Sequence, residues 1–212
     1  MKIITDLSHL VEDKMPTFPG DPIPRIQTVA TVKEQGYQEK QLTVSTHTGT
    51  HIDAPAHIFE HLPELDAVSL EHFIGQGQVL DVSRVEQRCL EADLLNAVQV
   101  ADTIDFILFY SGWDKKWAEA GYFLDFPYLS SQLAEKLVRL KIKGVGLDFC
   151  SVDRLDDRKL SAHKILLKNG VIIIENLTNL HKLIGKTFTL VALPLKIAHA
   201  DGAPARVIAI ED

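Results

Sequence analysis

The amino-acid sequence predicts an α/β fold in which a mostly β core is covered by helices on its outside. Early β-rich runs follow one another without helical patterns between them, whereas later apolar runs alternate with helical patterns. A chain of 212 residues, 46% of them hydrophobic, can bury a core without disulfides. No repeat, low-complexity linker or change in composition divides it. We therefore expect a single domain over residues 1–212.

The first half of the chain is predicted to contain strands, an ordered loop and a hairpin. KIITDLSHL is typical of an initial strand, and the four prolines of MPTFPGDPIP indicate an ordered loop. The β-rich runs at residues 25–33 and 41–48 are separated by EQGYQ, which predicts a long hairpin. GQVLDVS and DFILFYSG have the apolar character of buried strands.

The second half is predicted to alternate helices with strands. In LSSQLAEKLVRLKIKG the leucine spacing indicates an amphipathic helix, capped by Ser130 or Ser131 and stopped by Gly144. A strand in GVGLDFCS follows, and then a helix in SAHKILLKNG that closes at Asn169 and Gly170. The remaining segments predict a strand, a short helix and two final strands, in VIIIEN, LTNLHKLIG, KTFTLVALPLKI and ARVIAIED.

Charge and cysteine content narrow the function classes. The formal net charge is -7 and no Lys/Arg-rich block is present, which argues against nucleic acid and anionic membrane as partners. Cys89 and Cys150 lie in apolar contexts far apart, as reduced thiols do. Acidic residues interrupt the N-terminal apolar run, so we expect no signal peptide. These features predict a cytoplasmic protein.

The segment STHTGTHIDAPAHIF, residues 45–59, holds three of the nine histidines. Its β-branched residues favour a strand, and side chains alternate between the faces of a strand. His47, His51 and Asp53 are separated by even steps, so one strand through all three would place them on one face. Pro55 should end that strand, and His57 follows just beyond it.

A metal site is the sharper interpretation of this cluster. Neutral imidazole and carboxylate are ligands of zinc and manganese in hydrolytic sites, and three protein ligands with an open position are typical of catalysis. The alternative is that the histidines bond neighbouring backbone groups or lie on the surface. For one histidine that alternative is favoured, whereas the even spacing of the cluster favours the metal.

Two distant residues fit the same site. Glu175 ends the aliphatic run at residues 171–174, where a carboxylate needs a cation or strong donors. His163 begins the helix that precedes this strand. Either residue alone is more typical of an ordinary structural position. The helix and the strand could nevertheless return both side chains to one end of the core.

With these residues in place, HTGTHIDAPAH resembles the signature of the metal-dependent cyclase family, whose best-known members are bacterial kynurenine formamidases. The pattern His-x-Gly-Thr-His-x-Asp-x-Pro-x-His is matched in full. The resemblance extends, in the expected order, over FPGDPIP, GVGLDFCSVD, AHKILLKNGVIIIENLTNL and LVALPLKIAHADGAPARVIAI.

The resemblance implies a swivelling β/β/α fold, one or two divalent ions (Zn²⁺ or Mn²⁺) and a homodimer or homotetramer. By the family pattern, His47, His51 and Asp53 would bind a first metal. Asp53 and Glu175 would bridge to a second metal that His163 completes. His57 matches the proton-transfer residue.

The function that the resemblance implies is metal-dependent hydrolysis of an amide, first of all an aryl formamide such as N-formylkynurenine. A cyclic-amide or lactone hydrolase, such as an isatin-hydrolase-like enzyme, is one alternative, and a non-enzymatic metal-binding protein is another. Phe18 stands where related formamidases often carry tryptophan, and it could form an apolar wall for the substrate or simply pack its loop. Trp113 and Trp117 are predicted to be core or subunit-interface residues. His199 falls where a glycine is common.

Overall fold

Seven strands close into a barrel-like sheet, and an eighth strand extends it, in the computed structural model, which describes residues 2–96 and 103–211. The strands are β1 Ile3–Asp6, β2 Arg25–Ala30, β3 Glu39–Thr43, β4 His51–Asp53, β5 Ile74–Asp81, β6 Cys89–Leu90, β7 Phe106–Tyr110, β8 Tyr128–Leu129, β9 Gly144–Leu147, β10 Ile172–Glu175, β11 Phe188–Pro194 and β12 Gly202–Glu211. The α-helices are α1 Val32–Gln35, α2 Ser131–Arg139 and α3 Ser161–Lys168.

The long strand β12 closes the barrel. It pairs with β11 along one edge, and its other edge pairs first with β4 and then with β1. Around the ring the order is β12, β11, β5, β7, β9, β10 and β4, and β4 returns to β12. The central strands β5, β7, β9 and β10 run parallel, and the others join antiparallel. Both ends of the described chain therefore meet on one strand.

The central strands β7, β9 and β10 are buried on both faces, as the side-chain alternation of β7 illustrates. Phe106 and Leu108 belong to one apolar cluster, whereas Ile107 and Phe109 belong to a second cluster that includes side chains of α2 and α3. A sheet covered in this way reads as a continuous apolar run in sequence. The predicted mostly β core wrapped by helices is confirmed. The extent of a single domain over residues 1–212 stays a prediction.

The amphipathic helix forms as α2, with one difference at its end. The Ser130 hydroxyl accepts a hydrogen bond from Leu133 N at 3.1 Å, which caps the first turn. The helix ends at Arg139, and Lys141 adopts a left-handed φ of 57°. The predicted stop at Gly144 is wrong, because that glycine begins strand β9.

The histidine segment does not form one continuous strand. Strand β3 ends at Thr43 and β4 contains only residues 51–53, so His47 lies in a turn. Gly49 has a left-handed φ of 66°, which interrupts extended backbone and which glycine adopts without steric cost. The prediction of a shared strand face is therefore wrong for His47, and it holds for His51 and Asp53. Strand β4 ends at Asp53, just before Pro55, as expected. Pro55 begins a single 3₁₀ turn, which the sequence did not predict.

The predicted hairpin forms a separate two-stranded ribbon of β2 and β3. All five residues of β3 are exposed, including Leu42 at 57%. An isolated ribbon of this kind is marginally stable without further packing. Within the described ranges, no helix has the length and apolar character needed to cross a membrane.

Candidate active site

The register between β4 and β10 brings Glu175 to the histidine segment. Glu175 is the pairing partner of His51, and the two side chains therefore lie on the same side of the barrel wall. Asp53 lies two residues further along β4, which returns its side chain to that side. All three side chains are buried. Residues 124 positions apart in sequence thus share one site because two short strands pair.

The N-terminus of α3 delivers His163 to the same place. Asp153 accepts hydrogen bonds from Ala162 N at 2.8 Å and His163 N at 3.0 Å, which satisfies two otherwise unpaired amides of the first turn. The same carboxylate accepts from His163 Nδ1 at 2.7 Å. Asp153 therefore fixes both the start of the helix and the orientation of the imidazole ring.

The tautomers of His51 and His163 leave two lone pairs facing two carboxylates. His51 Nδ1 must donate to the Gly49 carbonyl at 2.8 Å, and His163 Nδ1 is engaged by Asp153, so the neutral rings are unprotonated at Nε2. His51 Nε2 lies 3.4 Å from Asp53 Oδ1 and 3.5 Å from Glu175 Oε2. His163 Nε2 lies 3.7 Å from an oxygen of each carboxylate.

These four groups fit a divalent cation. Two nitrogen lone pairs and two carboxylates surround one small volume, and without a cation or added protons they repel one another. His51 Nε2 and Glu175 Oε1 are buried and lack hydrogen-bond partners within the described chain. Such orphaned acceptors are what a bound ion would satisfy.

A second group of acceptors shares Asp53. Ligand atoms of His47, Asp53 and His57 lie within 4.8 Å of one another, as do those of His51, Asp53 and Glu175. His47 Nδ1 lies 2.8 Å from Asp53 Oδ1, and the His47 and His57 ring centroids are 4.1 Å apart. The structure thus brings together the six predicted metal and proton-transfer residues: His47, His51, Asp53, His57, His163 and Glu175. Asp53 lies where the two groups meet.

The carboxylates make this volume strongly attractive to positive charge. Burial lowers the pKa of His47, but the carboxylates of Asp53 and Asp201 outweigh burial and raise that pKa to about 9. Burial also opposes protonation of His51, whose pKa is nevertheless raised by Asp53 and Glu175. A site that binds protons this well binds metal in competition with them.

A buried hydrogen-bond network orients the His51 ring. Asn176 follows β10 with a left-handed φ of 57°, and its Nδ2 donates to the Gly49 carbonyl at 2.9 Å. Tyr122 donates its hydroxyl to Asn176 Oδ1 at 2.8 Å. Because the same Gly49 carbonyl accepts from His51 Nδ1, the network orients the imidazole through its backbone partner.

The histidine cluster opens into a cavity of about 280 Å³ with an aromatic wall. Phe18, Trp117 and Phe123 line it together with the clustered histidines. Phe18 contacts Phe123 edge to face, with ring centroids 6.1 Å apart. Trp113 is buried in the apolar core as predicted, and Trp117 packs against that core and also lines the cavity. An apolar wall beside a few polar groups is typical of small-molecule sites.

His9 packs against Trp117 of the aromatic wall, and we expect it to make the protein's stability depend on pH. Its ring stacks on Trp117 at a centroid distance of 4.1 Å. Burial lowers the pKa of His9 to about 4, against the attraction of Asp114. Between pH 4 and 6.5 the unfolded chain holds a proton on this residue that the folded chain lacks. The free energy of unfolding should therefore fall as the pH falls through this window, by up to about 3 kcal/mol.

Urea unfolding of the metal-free protein at several pH values between 4 and 7 measures this effect. His9→Phe keeps a ring to stack on Trp117 but cannot be protonated, so its stability should fall less steeply toward low pH. Equal pH dependence in the two proteins would contradict the assignment.

Sequence reasoning missed three polar residues of this site. Asp153, Asn176 and Asp201 contact the clustered histidines or their backbone partners. Asp153 lies two residues beyond the predicted strand GVGLDFCS, Asn176 is the last residue of VIIIEN, and Asp201 lies in the glycine- and proline-containing segment HADGAPAR. A polar residue flanked by an apolar strand and a turn was the available signal for each.

The chain matches a family model and named relatives over most of its length. The Cyclase model, described as "Putative cyclase", matches residues 5–154. The kynurenine formamidase of Bacillus thuringiensis (strain Al Hakam) is 34% identical over 209 residues, which cover 96% of this chain and 95% of the relative. The kynurenine formamidase of Bacillus anthracis is 33% identical over 208 residues, with the same coverage.

Solved structures share the architecture. A predicted metal-dependent hydrolase from Bacillus stearothermophilus superposes with a TM-score of 0.83 at 26% identity and covers 100% of both chains. Isatin hydrolase A from Labrenzia aggregata, bound to benzyl benzoate, has a TM-score of 0.90 at 24% identity and covers 99% of this chain and 94% of that one. At that identity the second similarity concerns the fold alone.

Proposed function

Because the chain belongs to the Cyclase family, we propose that it is a metal-dependent arylformamidase that hydrolyses N-formylkynurenine to kynurenine and formate. The observation that carries the proposal is the meeting of two imidazole lone pairs and two buried carboxylates beside an aromatic-lined cavity. The first feature supports a bound cation, and the second supports an aryl substrate.

The proposed ligands are the five predicted residues His47, His51, Asp53, His163 and Glu175. Four of these residues are buried and form the more enclosed ligand set: His51, Asp53, His163 and Glu175. His47 is the fifth ligand, and its Nδ1 lies beside Asp53 Oδ1. Mixed nitrogen and oxygen ligands suit zinc first and manganese second. The sharing of Asp53 supports a site for two ions.

A divalent ion in this position supplies Lewis acidity, which makes a water nucleophilic near neutral pH and polarises the formyl carbonyl. The proposed role of His57 is to move the proton. Its Nδ1 faces Asp201 at 3.2 Å, so Nε2 is the nitrogen left to accept a proton from the attacking water. His57 Nε2 then returns the proton to the leaving aromatic amine, which is a poor leaving group without it.

The aromatic wall supports the choice of an aryl substrate. Phe18, Trp117 and Phe123 offer apolar ring surfaces, and aromatic pairs gain stability beyond simple burial. We assign Phe18 a substrate-binding role on this basis. The cavity of about 280 Å³ is near the lower end of the sizes common for small-molecule sites.

The proposal also includes the oligomeric state and the cellular location. Exposed apolar residues of the β2–β3 ribbon and of the connection between its strands, such as Leu42 and Tyr37, support assembly into a homodimer or homotetramer. Cys89 and Cys150 are free thiols, which supports a reducing cytoplasmic location.

Hydrolysis rates on three substrates test the function. Purified protein loaded with Zn²⁺ or Mn²⁺ should hydrolyse N-formylkynurenine with a kcat/KM at least ~10 times that for isatin or a simple aryl lactone. Tenfold corresponds to about 1.4 kcal/mol of transition-state discrimination. A preference for isatin would replace the proposal with cyclic-amide hydrolysis. Tight metal binding without turnover of any of the three would favour a non-enzymatic metal-binding protein.

A further inference from the structure

We propose that Asp201 is a positioning residue that sets the tautomers of His47 and His57 together. This inference rests on the proposed function, because it assigns those two rings to metal binding and proton transfer. One oxygen, Asp201 Oδ2, lies 2.9 Å from His47 Nε2 and 3.2 Å from His57 Nδ1. A carboxylate can only accept, so each ring must present a proton to that oxygen.

The shared acceptor decides which nitrogen of each ring stays free. Asp53 Oδ1 also accepts from His47, at 2.8 Å from Nδ1, so both nitrogens of this ring carry protons in the metal-free protein. A bound cation would displace the proton on Nδ1, and Asp201 would retain the proton on Nε2. His57 keeps its proton on Nδ1, and its Nε2 is free for proton transfer. An imidazole that donates to a carboxylate from one nitrogen is held in one tautomer and is a stronger base at the other. Asp201 therefore orients His47 for metal binding and His57 for proton transfer.

The backbone holds Asp201 against the cluster. Its carbonyl accepts from Ala54 N at 2.9 Å, at the end of β4. The next residue, Gly202, pairs with Asp53, and a Cβ there would lie 2.7 Å from His47 Cε1 and 2.8 Å from the Ile52 carbonyl. Glycine thus permits the close approach that places Asp201 beside His47.

The loop that carries Asp201 makes separate contacts on its solvent-exposed side. His199 has a left-handed φ of 55°, a conformation that favours glycine, and its ring lies 2.7 Å from Glu64. His199 N donates to Asp66 at 3.3 Å. Asp66 is exposed and anchors the loop without contacting His47 or His57, so it provides a matched control for Asp201.

Asp201→Asn removes the charge and leaves one amide oxygen in place of the shared carboxylate. Asp201 is 43% exposed, so this near-isosteric change should leave the fold intact. In the zinc-loaded protein we expect kcat for N-formylkynurenine to fall about 10–100-fold, KM to change by less than about threefold, and the zinc dissociation constant to rise about 10–100-fold. The ring-nitrogen NMR signals of His57 should lose the Nδ1–H form. Asp201→Glu should recover part of each effect, and Asp66→Asn should match the wild type.

Wild-type zinc affinity and unchanged ring signals in Asp201→Asn would overturn the inference. Equal losses in Asp66→Asn would also overturn it, because the effect would then come from the loop's stability. If the wild-type protein does not hydrolyse the formamide, the proposed function fails. Zinc affinity and the ring signals would still test Asp201 independently.

Discussion

Replacing His57 with alanine should lower kcat for N-formylkynurenine by about 10²–10⁴-fold, the usual contribution of general acid–base catalysis. Expulsion of an aromatic amine requires a proton on nitrogen, and His57 has a ring nitrogen free to supply it. Metal content, measured by elemental analysis after gel filtration, should stay near the wild-type value. An aryl formate ester should lose less rate, because a phenol leaves with little help from a proton.

His57 is also close enough to His47 and Asp53 to compete for the role of ligand. The two roles have different signatures. If His57→Ala loses metal together with activity, His57 belongs to the ligand set and the proton comes from another group. His61→Ala is a suitable control, since His61 is exposed on the same segment. It should leave rate and metal content unchanged.

The second large effect is expected at Glu175. Glu175→Gln should raise the metal dissociation constant by at least about 100-fold, the upper end of what loss of an outer-shell partner costs a site. The amide keeps the shape of the side chain but removes the charge that faces His51 Nε2 and His163 Nε2. Competition with a coloured chelator measures the constant directly.

Glu211→Gln is the matched control, because Glu211 also ends a strand and pairs at 2.7 Å with Lys186, outside the cluster. Its metal affinity should equal that of the wild type. His163→Ala should weaken metal binding in the same direction as Glu175→Gln. Full metal occupancy in either of these two variants at micromolar ion would remove that residue from the ligand set.

The local parts of the fold could be predicted from sequence because they depend on neighbouring residues. The spacing of Leu133 and Leu137 defines the buried face of α2, and Asn169 and Gly170 end α3 where expected. The metal cluster could be inferred because His51 and Asp53 keep strand periodicity. The turn at His47 could not be predicted, because a glycine such as Gly49 also occurs inside strands and its left-handed φ is visible only in the structure.

Contacts between distant segments could not be predicted in the same way. Asp201 meets His47 across 154 positions, and that meeting depends on the closure of the barrel by β12 against β4. Asp153 reaches His163 because a loop folds back over the first turn of α3. Trp117 lines the cavity and stacks on His9, which lies far from it in the sequence, near the N-terminus. Such pairings depend on register, which a single sequence specifies only through the completed fold.

The dependence of N-formylkynurenine hydrolysis on bound metal tests the account most directly. The rate should be measured on the protein as purified, after exhaustive chelation and dialysis, and after addition of Zn²⁺ or Mn²⁺, with metal content determined at each stage. We expect bound zinc or manganese at the start, loss of activity as the ion is removed, and recovery when it is restored. An unchanged rate in protein that elemental analysis shows to be free of metal would contradict the account.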